Sequence, residues 1–209
     1  MKMKEYIGLC AGVLVSPGDA CFYIKRNKNR LSLVFPAVML AVLALLYVVF
    51  IQLTNYAVST VNLRSESMLI YIVLPVAAVV LWTVSGYAVS TILDGSAGFK
   101  EFAVSVASCV MPFVALALPL TAVSYLLEMG QASFFGVLQY GILLWIIALL
   151  FYNFMTLNEY SFKKAVGTAV LGLLVMLAIC FILFILYSMT NQVITFIKQV
   201  MLEIQLLTV

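Results

Sequence analysis

Five apolar runs, each long enough to cross a bilayer and none holding an Asp, Glu, Lys or Arg, constrain this chain more than any other feature. They are Leu33–Leu53, Met68–Leu93, Phe102–Leu127, Phe134–Leu157 and Ala165–Met189. A hydrocarbon core of about 30 Å needs roughly 20 helical residues at about 1.5 Å each. One central charge would cost about 3 kcal/mol, against a gain of about 0.3–0.6 kcal/mol for each Leu, Ile, Phe or Val. These runs therefore insert unopposed. The composition agrees: 66% of residues are hydrophobic and 9% charged, whereas a soluble domain carries about 25% charged residues. The fold class expected is all-α, a polytopic bundle of about five transmembrane helices.

The charges between the runs set an orientation. One side collects Lys2, Lys4, Lys25, Arg26, Lys28, Arg30, Lys100, Lys163 and Lys164; the other holds Arg64 and Lys198. By the positive-inside rule the N-terminus is cytoplasmic and the C-terminus outside, in a multi-pass cell-membrane protein. Residues 1–32 form a cytoplasmic N-terminal segment, 33–189 the five-span domain and 190–209 an amphipathic C-terminal helix. The apolar stretch Tyr6–Val15 is too short to span, and Ser16-Pro17-Gly18-Asp19 ends it without a cleavage site. Those four residues read as a helix start: Ser as cap, Pro at the first position, an acid in the first turn. The short basic helix that follows, with Phe22 and Tyr23, is expected in the headgroup layer.

Prolines and polar residues inside the runs have structural readings. Pro112 and Pro119 are expected to kink the third helix, with Ser108, Thr121 and Ser124 satisfying freed backbone groups. Gln139 and Asn153 in the fourth run read as interhelical hydrogen bonders, and Trp82 and Trp145 as packing anchors. Cys109 and Cys180 read as small buried hydrophobes, outside any disulfide or metal site.

Catalytic chemistry is hard to place. The chain has no histidine, and all eight acids lie outside the runs. No carboxylate dyad, metalloprotease pair or Ser–His arrangement is available within the membrane. A proton-coupled pump would keep an ionisable group in its bundle. No cofactor or metal site is expected, and no basic, aromatic-interleaved patch suggests nucleic acid.

Two candidate partner-binding surfaces stand out. The junctions Gly98-Phe99-Lys100-Glu101 and Ser161-Phe162-Lys163-Lys164 resemble each other, as two parallel hairpins would make them; Phe99, Lys100, Phe162, Lys163 and Lys164 are the candidate docking residues there. In the tail, Val193, Ile197, Val200, Ile204 and Leu207 recur at steps of four and three and share one helix face. Span five plus the tail is too long to stay in the bilayer as one upright helix, so Thr190 and Asn191 are expected to cap a fresh helix. That helix either rests on the outer leaflet or packs against a partner.

Several short motifs lie in order between the spans: Ser16-Pro17-Gly18-Asp19 with Phe22-Tyr23-Ile24-Lys25; Leu81-Trp82; Ser90-Thr91-Ile92-Leu93-Asp94-Gly95 with Gly98-Phe99-Lys100; Met111-Pro112-Phe113; and Met155-Thr156 with Glu159-Tyr160-Ser161 and Lys164. In these the chain resembles the Yip-domain family, specifically its prokaryotic five-span members. The resemblance implies a five-span, N-in architecture. Eukaryotic relatives bind Rab GTPases in vesicle trafficking through a form of the protein with a long soluble N-terminal region, which this chain lacks. Prokaryotic relatives are often encoded beside carbohydrate ABC transporters. Several relatives carry histidine near the positions of Ser16 and Asn158, so any role resting on those histidines does not carry over. The expectation is a non-enzymatic scaffold or accessory subunit in contact with membrane lipid and another membrane complex, an ABC importer being the partner implied. The alternatives are a small-solute channel or facilitator and a lipid-organising protein.

Overall fold

A computed structural model describes residues 3–58 and 68–207. Among these, every regular element is helical: α1 (Met3–Val15), α2 (Pro17–Arg26), α3 (Val34–Leu53), α4 (Met68–Ile92), α5 (Phe99–Ser108), α6 (Met111–Ser124), α7 (Ala132–Leu157) and α8 (Phe162–Leu207), with short 3-10 turns at Lys28–Arg30 and Met129–Gln131. Five segments are long and apolar enough to cross a membrane: Val34–Leu53, Leu69–Ile92, Phe99–Ser124, Ala132–Leu157 and Phe162–Met201. The expected spans are thus present, and the chain is a multi-pass membrane protein. Arg64 lies outside the described residues.

The third span is broken where Pro112 demands it, while Pro119 lies inside the unbroken α6. A proline ring clashes with the carbonyl four residues back and supplies no N–H. Pro112 therefore cannot continue a helix through Ser108. The backbone turns at Cys109–Val110, and Pro112 falls in the first turn of α6, where its missing N–H costs nothing. Nearby hydroxyls take up carbonyls as expected: Ser108 Oγ donates to Val104 O at 2.8 Å and Thr121 Oγ1 to Leu118 O at 2.7 Å.

α5 is the centre of the molecule. Every residue from Glu101 to Val110 is buried, because α1, α2, α3, α4 and α7 all pack around it. Lining this end are Phe102, Val104, Ile24, Leu157 and Val13. A second apolar cluster, with Phe50, Ala117, Leu120 and Phe135, fills the opposite end. α4 and α8 approach backbone to backbone: a Cβ on Gly172 would lie 3.8 Å from the Gly86 Cα, and buried Ser85 keeps that stretch of α4 narrow.

Three expectations need correcting. The Ala20, Cys21 and Ile24 face of α2 does not meet lipid. Ala20, Cys21 and Ile24 are buried in the bundle, and Phe22 and Tyr23 face outward. The stretch before it forms α1, which packs beside α5 and α6, with Tyr6 stacked on Phe35 at 4.4 Å. Nor does a fresh helix start at Thr190. α8 runs unbroken from Phe162 to Leu207, and the supposed caps bond backwards: Thr190 Oγ1 donates to Leu186 O and Thr195 Oγ1 to Asn191 O, each at 2.8 Å. A threonine can satisfy itself this way within a helix, and neither Gly nor Pro occurs from Leu173 to Leu207. Finally, Trp145 and Cys180 are exposed on the bundle surface. Trp82 does pack inward, its ring 6.1 Å from that of Phe154.

Candidate functional site: the loop junction and the projecting helix

The helices α4 and α7 end alike. Each finishes on an acidic residue in the left-handed region, Asp94 and Glu159, both at φ 57°. The next N–H closes the turn onto the carbonyl five residues earlier: Gly95 N to Ser90 O at 2.7 Å, and Tyr160 N to Met155 O at 3.0 Å. This is the Schellman bond that satisfies a helix's last carbonyls. The resemblance between the two junctions therefore extends upstream of the motifs that revealed it.

The two loops are also tied to each other. Tyr160 OH bridges the carbonyls of Ser90 and Leu93, 3.1 Å from each. Ser96 Oγ donates to Leu157 O at 3.1 Å. Gly95 fits closely against this knot. A Cβ there would stand 2.5 Å from Asn158 Oδ1 and 2.8 Å from Ser90 O. The Asn158 oxygen is buried without a hydrogen-bond partner, and it occupies the space that a side chain at position 95 would need. Burial and the Asp94 charge raise the Tyr160 phenol above its ordinary range, so it stays a donor.

α2 closes the junction from the side. Lys25 Nζ donates to a Glu159 carboxylate oxygen at 2.6 Å and to Ser96 Oγ at 3.0 Å. The hydrogen bond and charge of Lys25 hold the Glu159 carboxyl below its ordinary range. The Lys164 ammonium sits 4.5 Å over the Tyr160 ring, an ordinary cation–π distance.

The candidate docking residues here fall into two groups. Phe99 meets Tyr87 of α4 edge to face at 5.2 Å, and Phe162 meets Phe151 of α7 at 5.8 Å. The two aromatic–basic pairs thus lean on different helices, although their loops are joined. Lys100, Lys163 and Lys164 are exposed, so the junction presents a basic outer surface.

The tail residues lie on the projecting part of α8. From Cys180 to Met201 every residue except Ser188 is exposed. Val193, Ile197 and Val200 are uncovered; Ile204 and Leu207 are helical, and their side chains lie outside those described.

One polar constellation went unread in the sequence. The Cys21 thiol of α2 donates to Asn153 Oδ1 of α7, and Asn153 Nδ2 donates to Cys109 Sγ, both at 2.8 Å. The Cys109 thiol in turn donates to Ser105 O at 3.2 Å. Asn153 is an interhelical hydrogen bonder as expected; that two cysteines are its partners had no signal in their spacing. Burial pushes the Cys21 thiol up to about 12.

None of these groups forms a nucleophile–base–orienter set. The arrangement holds loops and helices together and offers surfaces. Comparison with curated proteins and with solved structures gives no match. Comparison with protein families matches residues 11–189 to the Yip1 domain. That stretch takes in α2, both junction loops, the five spans up to Met189 and all the motifs on which the resemblance rested, and the chain therefore belongs to the Yip1-domain family.

Proposed function

We propose that this chain is a non-enzymatic membrane scaffold, an accessory subunit that docks onto another membrane complex. The projecting half of α8 carries the reading. The run of apolar residues in α8 ends near Met189, and the helix continues for 18 further residues to Leu207; with Met189 taken as the membrane boundary, that is about 27 Å beyond the hydrocarbon. An interfacial helix would have to bend at Thr190, and the backbone there is continuous. In this reading the continuous helix, with Val193, Ile197 and Val200 uncovered, carries an apolar stripe past the lipid tails. A contiguous exposed apolar stripe marks a surface that another element covers. The basic junction around Lys100, Lys163 and Lys164 supplies a second surface at the other end.

In this reading the junction end is cytoplasmic, as the charge bias implies, and α8 projects outside. The partner class implied by the chain's likeness to prokaryotic members is a carbohydrate ABC importer. A channel for hydrophilic solutes fits less well. The interhelical crevice bounded by Leu43, Val79, Trp82, Phe113 and Ile147 has a volume of about 310 Å³ and an almost wholly apolar lining, which gives such a solute nothing to bond.

Deletion of residues 191–209 tests the proposal. Co-purification in mild detergent should lose the partner while the five-span core is still recovered from the membrane. Recovery of the whole complex at the original stoichiometry would refute docking through α8.

A further inference from the structure

The apolar stripe on α8 begins inside the molecule. Ala165, Ala169, Gly172, Met176 and Ile179 follow one another at alternating steps of four and three, and each is buried or half-buried. Gly172 lies against α4 at Gly86. The same alternation runs on without a slip through Leu183, Leu186, Thr190, Val193, Ile197, Val200, Ile204 and Leu207. Past Ile179 the cover ends: Leu183, Leu186, Val193, Ile197 and Val200 are exposed. A gap of about 490 Å³, lined by Met176 and by Leu69, Val73 and Leu74 of α4, opens where the two helices part.

This repeat is that of a coiled coil. A straight helix turns once in about 3.6 residues, so a strict heptad stripe drifts around it by about 20° per heptad, or roughly 90° between Met176 and Leu207. A second helix wound with α8 follows such a stripe throughout. Polar residues keep off it. Beyond Met189 only Thr190 falls on the stripe, and its hydroxyl already donates to Leu186 O.

We propose that α8 winds in parallel with the α8 of a second copy of this chain, along Leu183, Leu186, Val193, Ile197 and Val200. The second helix takes over the face that α4 covers nearer the cytoplasmic end, so the contact continues an interface that the fold already has. Charge at the positions flanking a seam is what selects partners in coiled coils. Here those positions hold Ile182, Tyr187, Met189, Ile194, Phe196 and Met201, none of them charged, and nothing turns a like chain away. Two copies inserted the same way in one bilayer also hold their α8 helices parallel and at the same height. Each seam residue then meets its own counterpart, and a two-fold contact of this kind is self-complementary by construction. The inference shares with the proposed function the premise that α8 stays straight past Met189. Pairing covers the seam and leaves Ile194, Phe196 and Met201 on its flanks for another complex.

The test uses the full chain with Cys180→Ser, purified alone in mild detergent. Single cysteines placed on α8 are oxidised with copper phenanthroline. Val193→Cys, Ile197→Cys and Val200→Cys should give disulfide-linked dimers at least fivefold faster than Gln192→Cys, Thr195→Cys and Gln199→Cys on the opposite face. Without oxidant, light scattering corrected for detergent should return the mass of two chains. Val193→Lys with Val200→Lys should reduce it to one. Both side chains are exposed in the single chain, so this variant keeps its fold, as its helical circular dichroism will show. A folded parent with the mass of one chain, equal cross-linking on the two faces, or a double-lysine variant that stays dimeric would each overturn the pairing. Docking is scored separately, by recovery of a different complex from native membranes. A monomer that still recovers it overturns the pairing alone, and a dimer that recovers nothing overturns docking alone.

Discussion

Lys25 and Glu159 form an ion pair of 2.6 Å that fastens the N-terminal helical hairpin to the loop before α8. The lysine side chain is largely covered and the glutamate exposed, with relative accessibilities of 20% and 73%. An exposed partner limits what the pair contributes, so Lys25→Ala or Glu159→Gln should lower Tm only slightly. The reversed pair, Lys25→Glu with Glu159→Lys, should recover part of the loss. No recovery in the double variant would mean that Lys25 acts through Ser96 instead.

The same pair sets a pH dependence. Glu159 has a folded-state pKa below its ordinary 4.5. A depressed carboxylate stabilises the fold above its unfolded value and loses that contribution as pH falls through the folded one. Thermal unfolding should therefore show a small loss of stability on acidification below about pH 4.5, absent in Glu159→Gln. An equal loss in both proteins would trace the effect to other acids.

Gly95→Ala should destabilise the protein by about 1–3 kcal/mol. The new methyl meets the Asn158 oxygen at 2.5 Å and the backbone of Ser90 at 2.8 Å, and backbone has no cheap way to yield. Gly141→Ala, with nothing within 4 Å, is the control and should be near neutral. Reversible unfolding in mixed micelles measures both; equal values would mean that the loop knot relaxes freely.

Asn153→Leu breaks both thiol hydrogen bonds. Interhelical hydrogen bonds in membrane proteins contribute about 0.6 kcal/mol each, up to roughly 1.7, so a loss near 1 kcal/mol is expected. Cys21 should also alkylate faster in this variant. In the parent at pH 8.5 its thiol is buried and protonated, and iodoacetamide should modify it far more slowly than in the SDS-unfolded chain. Rapid modification of the native parent would show that α2 does not stay docked.

Topology can be checked directly. Cysteines introduced at Asp94 and Glu159 should label from the cytoplasmic side, and those at Tyr56 and Glu128 from outside. The reverse pattern would invert the orientation while leaving the helical connectivity intact.

The five spans were legible because charge is barred from hydrocarbon, and the sequence obeys that bar along every run. The break in span three was legible too, since Pro112 has few other ways to sit in a helix. Other features were not. Hydropathy does not distinguish burial in lipid from burial in protein, so the inward face of α2 and the outward faces of Trp145 and Cys180 could not be read. Thr190 and Asn191 carry good capping side chains, but the same hydroxyl chemistry lets Thr190 bond to its own helix. Cys21, Cys109 and Asn153 meet only because α2 folds back onto α5 and α7, a tertiary event that leaves no local pattern. Of the candidate docking residues, periodicity found the stripe on α8, while Tyr160 and Lys25, which organise the junction, have no periodicity to betray them.

The continuity of α8 gives the molecule a lever. At Gly172 it passes close to the backbone of α4 at Gly86. From that crossing the helix extends about 15 Å to Phe162 and about 52 Å to Leu207. If the crossing serves as the pivot, a tilt that moves the Phe162 end by 1 Å moves the tip by about 3.5 Å in the opposite sense, by the ratio of the arms. A disturbance of the loop knot on one side of the bilayer is thereby delivered, enlarged, to whatever touches the helix on the other.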